Sequence, residues 1–306
     1  MTGPRVTLRD AATSDRRPVA TVRRLAGPLP PRRLSPARAV AVVWRVELAK
    51  LVRLVRVQAL AGVCLVAPFL AAAAVSAQSS LPQDTLFGQW LQQSGLALPL
   101  VVLGFAGQWV LPLLTCLVAG DIFASEDQFG TWKTVLTRSR SRGELFTGKV
   151  LAALSFPVIV LALLAASTVV AGLLLGREPV VGLGGQVVPV GHAAALVAAS
   201  WSLQLPPMFG FCLLAVLLSV ITRNGVAGVG GPVLLGLLMQ LLALLSLPPR
   251  VQDALLTTPF SAWHGLWVEH PFYGPAWRGL LTSVVWSAVC LATAWAVFRR
   301  RQVRVS

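Results

Sequence analysis

Gly143-Glu144-Leu145-Phe146-Thr147-Gly148-Lys149-Val150 has the spacing of a phosphate-binding loop up to its last position, where Val150 stands in place of the Mg²⁺-binding Ser or Thr. The strand before and soluble helix after that such a loop needs are also missing, so the match is a decoy. Leu183-Gly184-Gly185-Gln186 resembles a nucleotide-signature turn but lacks its Ser. His192, His264 and His270 fall in segments read as outer loops, with Glu269 beside His270, and show no His-x-x-x-His spacing for metal or acid-base work. Cys64, Cys116, Cys212 and Cys290 all fall inside apolar runs without paired spacing, so they read as small buried side chains. No nucleophile, base and orienting acid can be assembled, and no catalytic, metal or cofactor residue is expected in this chain.

Polar chemistry concentrates in Glu126 to Lys149, EDQFGTWKTVLTRSRSRGELFTGK, a charged stretch between two long apolar runs. Gly130 permits a tight backbone at a helix end. Thr131 can cap a short helix after it, and Ser141 with Glu144 forms a capping box for the helix that follows. Two short helices on the membrane surface are expected. Trp132, Val135 and Leu136 beside Lys133, Arg138 and Arg140 make an apolar and basic ridge suited to a groove on a partner.

The elements that hold this segment follow from composition. The chain has 306 residues, 56% hydrophobic and 12% charged, and a mean hydropathy of +0.74. Soluble domains carry about 25% charged residues, so this is an all-α integral membrane protein. Runs long enough to cross about 30 Å of hydrocarbon lie near 57–77, 96–119, 149–175, 193–221, 226–247 and 279–298, giving six transmembrane helices. A β-barrel is excluded by those lengths. Pro68, Pro112, Pro157, Pro206, Pro207 and Pro232 are tolerable where neighbouring helices satisfy the freed carbonyls, and they predict kinks, most strongly at Gln204-Leu205-Pro206-Pro207.

Net charge is +15. Thirteen Lys and Arg precede residue 57, five lie within 121–149, one is Arg223 and four follow 298, leaving Arg177, Arg250 and Arg278 for the other face. The positive-inside rule therefore places both termini, segment 121–148 and Arg223 in the cytoplasm. Nucleic acid is not the expected partner.

Residues 1–34 read as a disordered basic tail with no secretory signal, and 299–306 as a second basic tail. Within 35–56, Val40, Trp44, Leu48, Leu51, Val52 and Val55 share one helical face and Arg38, Arg45, Arg53 and Arg56 the opposite one. That pattern reads as an amphipathic interfacial helix, or as an extension of the first span into the cytosol. Gln108, Gln204 and Gln240 sit at membrane depth, where each needs a partner. They form interhelical hydrogen bonds or line a substrate route. Gly172-x-x-x-Gly176 is a weak signal of close helix packing. The outer segment 248–278, with Phe260, Trp263, Leu266, Trp267, Phe272 and Trp277, is expected to form interfacial or re-entrant helices.

Glu126, Gly130-Thr131, Ser141-Arg142 and Gly148-Lys149, placed after the second of six spans, resemble the type-2 ABC transporter permeases. Trp132-Lys133 after Gly-Thr looks most like the bacitracin-resistance and lantibiotic-immunity permeases, while Ser139-Arg140 departs from a family Pro. The motif covers about 25 residues, and the six-span topology extends the likeness over 36–306. The resemblance implies that the surface helix is a coupling helix seated in a separate ATPase subunit, with Glu126, Gly130, Thr131, Trp132, Lys133, Leu136, Arg142 and Lys149 as coupling residues. It also implies two ATPase subunits that bind MgATP, a second permease chain as homodimer or heterodimer, and contact with membrane lipids. Gln108 and Gln240, with Gln204, become substrate-pathway candidates.

The expected function is thus the membrane subunit of an ATP-driven exporter of an amphipathic drug, peptide antibiotic or lipid. The Arg over Lys bias suits a GC-rich bacterial genome and a bacterial plasma membrane. An ion-coupled secondary transporter is the second class, weakened by the lack of charged residues inside the spans away from their ends. A nontransporting membrane scaffold is the third.

Overall fold

The computed structural model describes residues 35–78, 90, 91, 94–130, 141–176, 179–183 and 185–300. The two basic tails at 1–34 and 301–306, and Thr131, Trp132, Lys133 and Leu136, lie outside the described residues. The architecture is mostly helical. Among the described residues six helices are long and apolar enough to cross a membrane: Val55–Ala77, Gly95–Gln128, Arg142–Leu175, Val190–Thr222, Gly225–Ala243 and Gly274–Arg300, here spans one to six. Helix α1, Pro36–Arg53, precedes them and ends where Leu54 turns extended. One two-residue hairpin, β1 (Val180–Val181) with antiparallel β2 (Val187–Val188), lies between spans three and four.

Span four is the most enclosed. Its Leu205–Thr222 half packs on spans two, three, five and six, while α1 and span one both lie along span three. The expected break falls at Leu203 and Gln204, between helices Val190–Ser202 and Leu205–Thr222, because Pro206 and Pro207 suit the first turn of a new helix. Span two widens into a π-turn at Ala106–Val110 just before Pro112.

Proline placement explains two cross-helix hydrogen bonds. Pro68 has no N–H for the carbonyl four residues back, that of Cys64, and Ser167 Oγ of span three donates to that oxygen at 2.8 Å. Ser167 also lies 3.0 Å from Leu164 O in its own helix. Pro112 likewise leaves Gln108 O unclaimed, and Gln240 Nε2 of span five donates to it at 3.1 Å. In hydrocarbon no water would do this work.

Close helix approach occurs where the sequence offers paired glycines from different spans. A Cβ at Gly120 would overlap the backbone of Gly228, and one at Gly228 the backbone of Gly120, so this approach of spans two and five admits only glycine. Gly172 meets Gly95 in the same way, and a Cβ at Gly95 would also overlap the backbone N of Gly176, although nothing lies within 4 Å of a Cβ at Gly176 itself.

The outer segment folds back into the body as helix Pro249–Ala254 and a 3-10 stretch, Thr258–Leu266. Phe260, Trp263 and Trp267 are buried, and Trp267 Nε1 donates to Ser200 Oγ at 2.9 Å. Trp267 O accepts from Leu183 N at 2.7 Å and from Gln186 Nε2 at 3.0 Å, which ties the hairpin to this cap. His192 and His264 lie on helices, not in loops, because the apolar neighbours of each continue a helical turn; His264 stacks on Trp263.

Ser167→Ala is expected to cost about 1 kcal/mol of stability, read as a lower melting temperature of the detergent-purified protein. In a Pro68→Ala background the restored backbone N–H takes over the Cys64 carbonyl, and the cost of Ser167→Ala shrinks toward zero. Equal losses in both backgrounds would contradict this account of the bond.

Candidate functional site

Lys149 stands eight positions into the helix of span three and is 0% exposed. An ammonium that deep must be paired, since isolated burial of a charge costs several kcal/mol. Its Nζ lies 3.1 Å from Glu126 Oε1, 3.2 Å from Glu47 Oε1 and 3.2 Å from Ile122 O. Three acceptors thus face a group with three protons to give. Phe123 adds a ring 5.9 Å away.

The acceptors come from separate elements. Glu126 belongs to the short helix Ala124–Gln128 at the end of span two, and Ala124 N is capped by Ser219 Oγ of span four at 3.0 Å. Glu47 comes from α1. Lys50, one turn on, reaches Glu47 Oε1 at 3.1 Å and Glu126 Oε1 at 3.3 Å. Two carboxylates and two ammonium groups make a neutral quartet, which lowers the cost of enclosing it. Arg56 pairs with Asp121, joining the start of span one to the turn in the last part of span two. A cleft of about 660 Å³ opens here, lined in part by Glu47, Lys50, Arg56, Asp121 and Glu126.

Burial of Glu47 corrects the expected wheel for α1. The enclosed residues are Ala39, Glu47 and Leu51, on a four-residue stripe with half-buried Val43, while Val52 and Val55 are exposed. Pairing with Lys149 rotates the helix by about one position relative to its apolar stripe, and Trp44 Nε1 holds it there by donating to Ser155 Oγ at 2.9 Å.

Lys50 titrates above its ordinary 10.5: burial would lower it, and the Glu47 and Glu126 carboxylates outweigh burial. Beneath the quartet, Phe123, Phe146, Trp295 and Phe298 form a ring cluster joining the span-two turn to spans three and six. The capping box is present, with Glu144 N to Ser141 Oγ at 3.2 Å and Ser141 N to Glu144 Oε2 at 3.1 Å. It starts the Arg142–Leu175 helix, which carries Lys149 to its acids.

Of the expected coupling residues, the fold brings Glu126 and Lys149 together. Lys149 is enclosed, so any part it takes in coupling is internal. Gly130 has φ +62°, the left-handed conformation expected of a glycine after a helix end. Arg142 is exposed in the first turn of span three. Glu47, Lys50, Arg56 and Asp121 escaped the sequence reading. The one available signal was Glu47 as the lone acid of α1.

The amides divide. Gln108 and Gln240 meet through their hydrogen bond and share a cleft of about 40 Å³ with Trp109, Phe211 and Thr257. Gln204 is 0% exposed and separate, its Nε2 reaching Ser200 O at 3.3 Å and Phe260 O at 3.4 Å. Among the described residues no His, Cys, Asp and Glu group could hold a metal, and the four cysteines are free and buried.

A family model described as ABC-2 family transporter protein matches residues 44–242, a stretch running from α1 into span five that contains all four members of the quartet. The chain matches no curated protein.

Lys149→Met is expected to destabilise the purified protein by about 3 kcal/mol, because it removes the fully enclosed cation and leaves two enclosed carboxylates sharing the half-exposed Lys50. Adding Glu47→Gln and Glu126→Gln should return most of that loss; no recovery would mean the methionine simply fails to pack. The raised value of Lys50 means that its ion pairs stabilise the fold below its unfolded value of about 10.4 and are lost as pH rises through the higher folded value. Glu47→Gln should move the onset of alkaline unfolding to lower pH in a melting series.

Proposed function

The chain belongs to the ABC-2 family of transporter proteins, and from that premise we propose that it is the membrane subunit of an ATP-driven exporter, worked by separate ATPase subunits through the segment 121–148. It is a multi-pass membrane protein of a transport family whose permeases partner ABC ATPases. The finer reading is a bacterial plasma-membrane exporter with both termini cytoplasmic, two permease chains around one pathway and MgATP held only by the partner. The bacitracin-resistance and lantibiotic-immunity permeases are its proposed relatives, and the substrate is an amphipathic drug, peptide antibiotic or lipid.

One observation carries this reading. The segment that would seat in the ATPase is fastened near both ends at a single point, since Glu126 lies near its start, Lys149 directly follows it and the two are in contact at 3.1 Å. Glu47 brings α1 to the same point. A push on the segment would therefore move α1 and the inner ends of spans two and three together, whereas a plain charged loop needs no such junction. Gly130, left-handed after the helix end, immediately precedes in sequence the proposed contact residues Thr131, Trp132, Lys133 and Leu136. Gln108 and Gln240, on spans two and five, support a route between those spans.

Gly130→Leu should leave the protein in the membrane and bound to its ATPase but reduce transport about tenfold or more, because the left-handed backbone there is strained for leucine. Resistance or efflux assays beside immunoblots of membrane abundance read this directly, and full transport by the variant would refute the coupling assignment. Gln108→Leu should alter transport without lowering abundance; parallel loss of both would make that amide a purely structural bond.

A further inference from the structure

Span one packs along span three and α1, and it touches span two only sparsely. Two clefts open along that seam. The first is the polar one of about 660 Å³ at the inner end, where Lys50 and Arg56 stand beside the span-two turn. The second is an apolar cleft of about 550 Å³, lined by Val63, Ala67, Ala71 and Val75 of span one against Val102 and Phe105 of span two, among others.

We propose that this wedge binds a glycerophospholipid, with its phosphodiester against Lys50 and Arg56 and one acyl chain in the apolar cleft. Charge and length both fit. In the polar cleft the Glu47 and Glu126 side chains are sunk at 9% exposure and Asp121, paired with Arg56, stands at 19%, whereas those of Lys50 and Arg56 are 51% and 42% exposed, so in the ion pairs of Lys50 and Arg56 the cation is the more exposed member. Arg in particular suits a phosphate oxygen. Val63 to Val75 spans about 18 Å along the helix axis, close to half of a hydrocarbon core of about 30 Å. Polar groups at one end and none along the rest match a lipid standing in one leaflet. A second copy of this chain fits the rim less well, because the sequence holds 11 acidic residues against 26 basic ones.

The site does not depend on the coupling role of Glu126, and its test needs no ATPase. The purified full chain in maltoside detergent is titrated with dioleoyl phosphatidylglycerol or with dioleoylglycerol, which has the same chains and no phosphate, and examined by native mass spectrometry. One phosphatidylglycerol per chain is expected to survive desolvation, with dioleoylglycerol retained about tenfold less. Arg56→Gln should weaken retention about tenfold. Ala67→Trp, which fills the apolar cleft, should abolish it while the melting transition persists, and Val289→Trp on the exposed face of span six should change nothing. Equal retention of the two lipids, or wild-type retention by both Arg56→Gln and Ala67→Trp, overturns the proposal. Loss of a dimer and not of lipid in Ala67→Trp would assign the wedge to a second copy and overturn it as well.

Discussion

A single enclosed ammonium group governs the end of this protein where α1 meets spans two and three. Lys149 is fully enclosed, so the fold must bring it acceptors, and the three oxygens nearest it come from two other stretches of chain. Glu126 and Ile122 O fix the turn after span two. Glu47 fixes α1. Once these are in place, Lys50 and the Arg56–Asp121 pair can close the cleft above them. The orientation of α1 follows from this electrostatic demand more than from its apolar stripe, which is why Val52 and Val55 stay exposed beside a buried glutamate.

Farther into the spans the same requirement applies to the backbone. Prolines withdraw N–H groups, and side chains from adjacent helices replace them, Ser167 at Cys64 and Gln240 at Gln108. Helices that must lie closest meet at glycine, as at Gly120 and Gly228. At the opposite end, Trp267 is a shared anchor for the hairpin, span four and the outer segment. The result is a body centred on span four, with spans one, five and six presenting most of their surface outward.

This arrangement suits a part that transmits force. A junction of paired charges joins the inner ends of two spans to a surface helix, while span one stands partly free of span two and leaves a wedge between them. The chain belongs to the ABC-2 transporter family, whose permeases partner ABC ATPases, and the coupling proposed above would act through that junction.

The sequence alone determined the six spans, because apolar runs of about 20 residues have one stable disposal in a bilayer. It also determined the Ser141–Glu144 capping box, the glycine turn at Gly130 and the break before Pro206-Pro207, all of which depend on neighbours within a few positions. Glu126 and Lys149 were legible as site residues through their place in a motif. Their contact with Glu47 was not, because Glu47 lies about 100 residues from Lys149 in the chain and helical periodicity placed it on no special face. The Gly120–Gly228 approach, the Gln240 bond to Gln108 and the burial of Trp267 were equally silent. Such partners are chosen by how helices pack, and packing is a property of the whole assembled body that no local stretch of chain encodes.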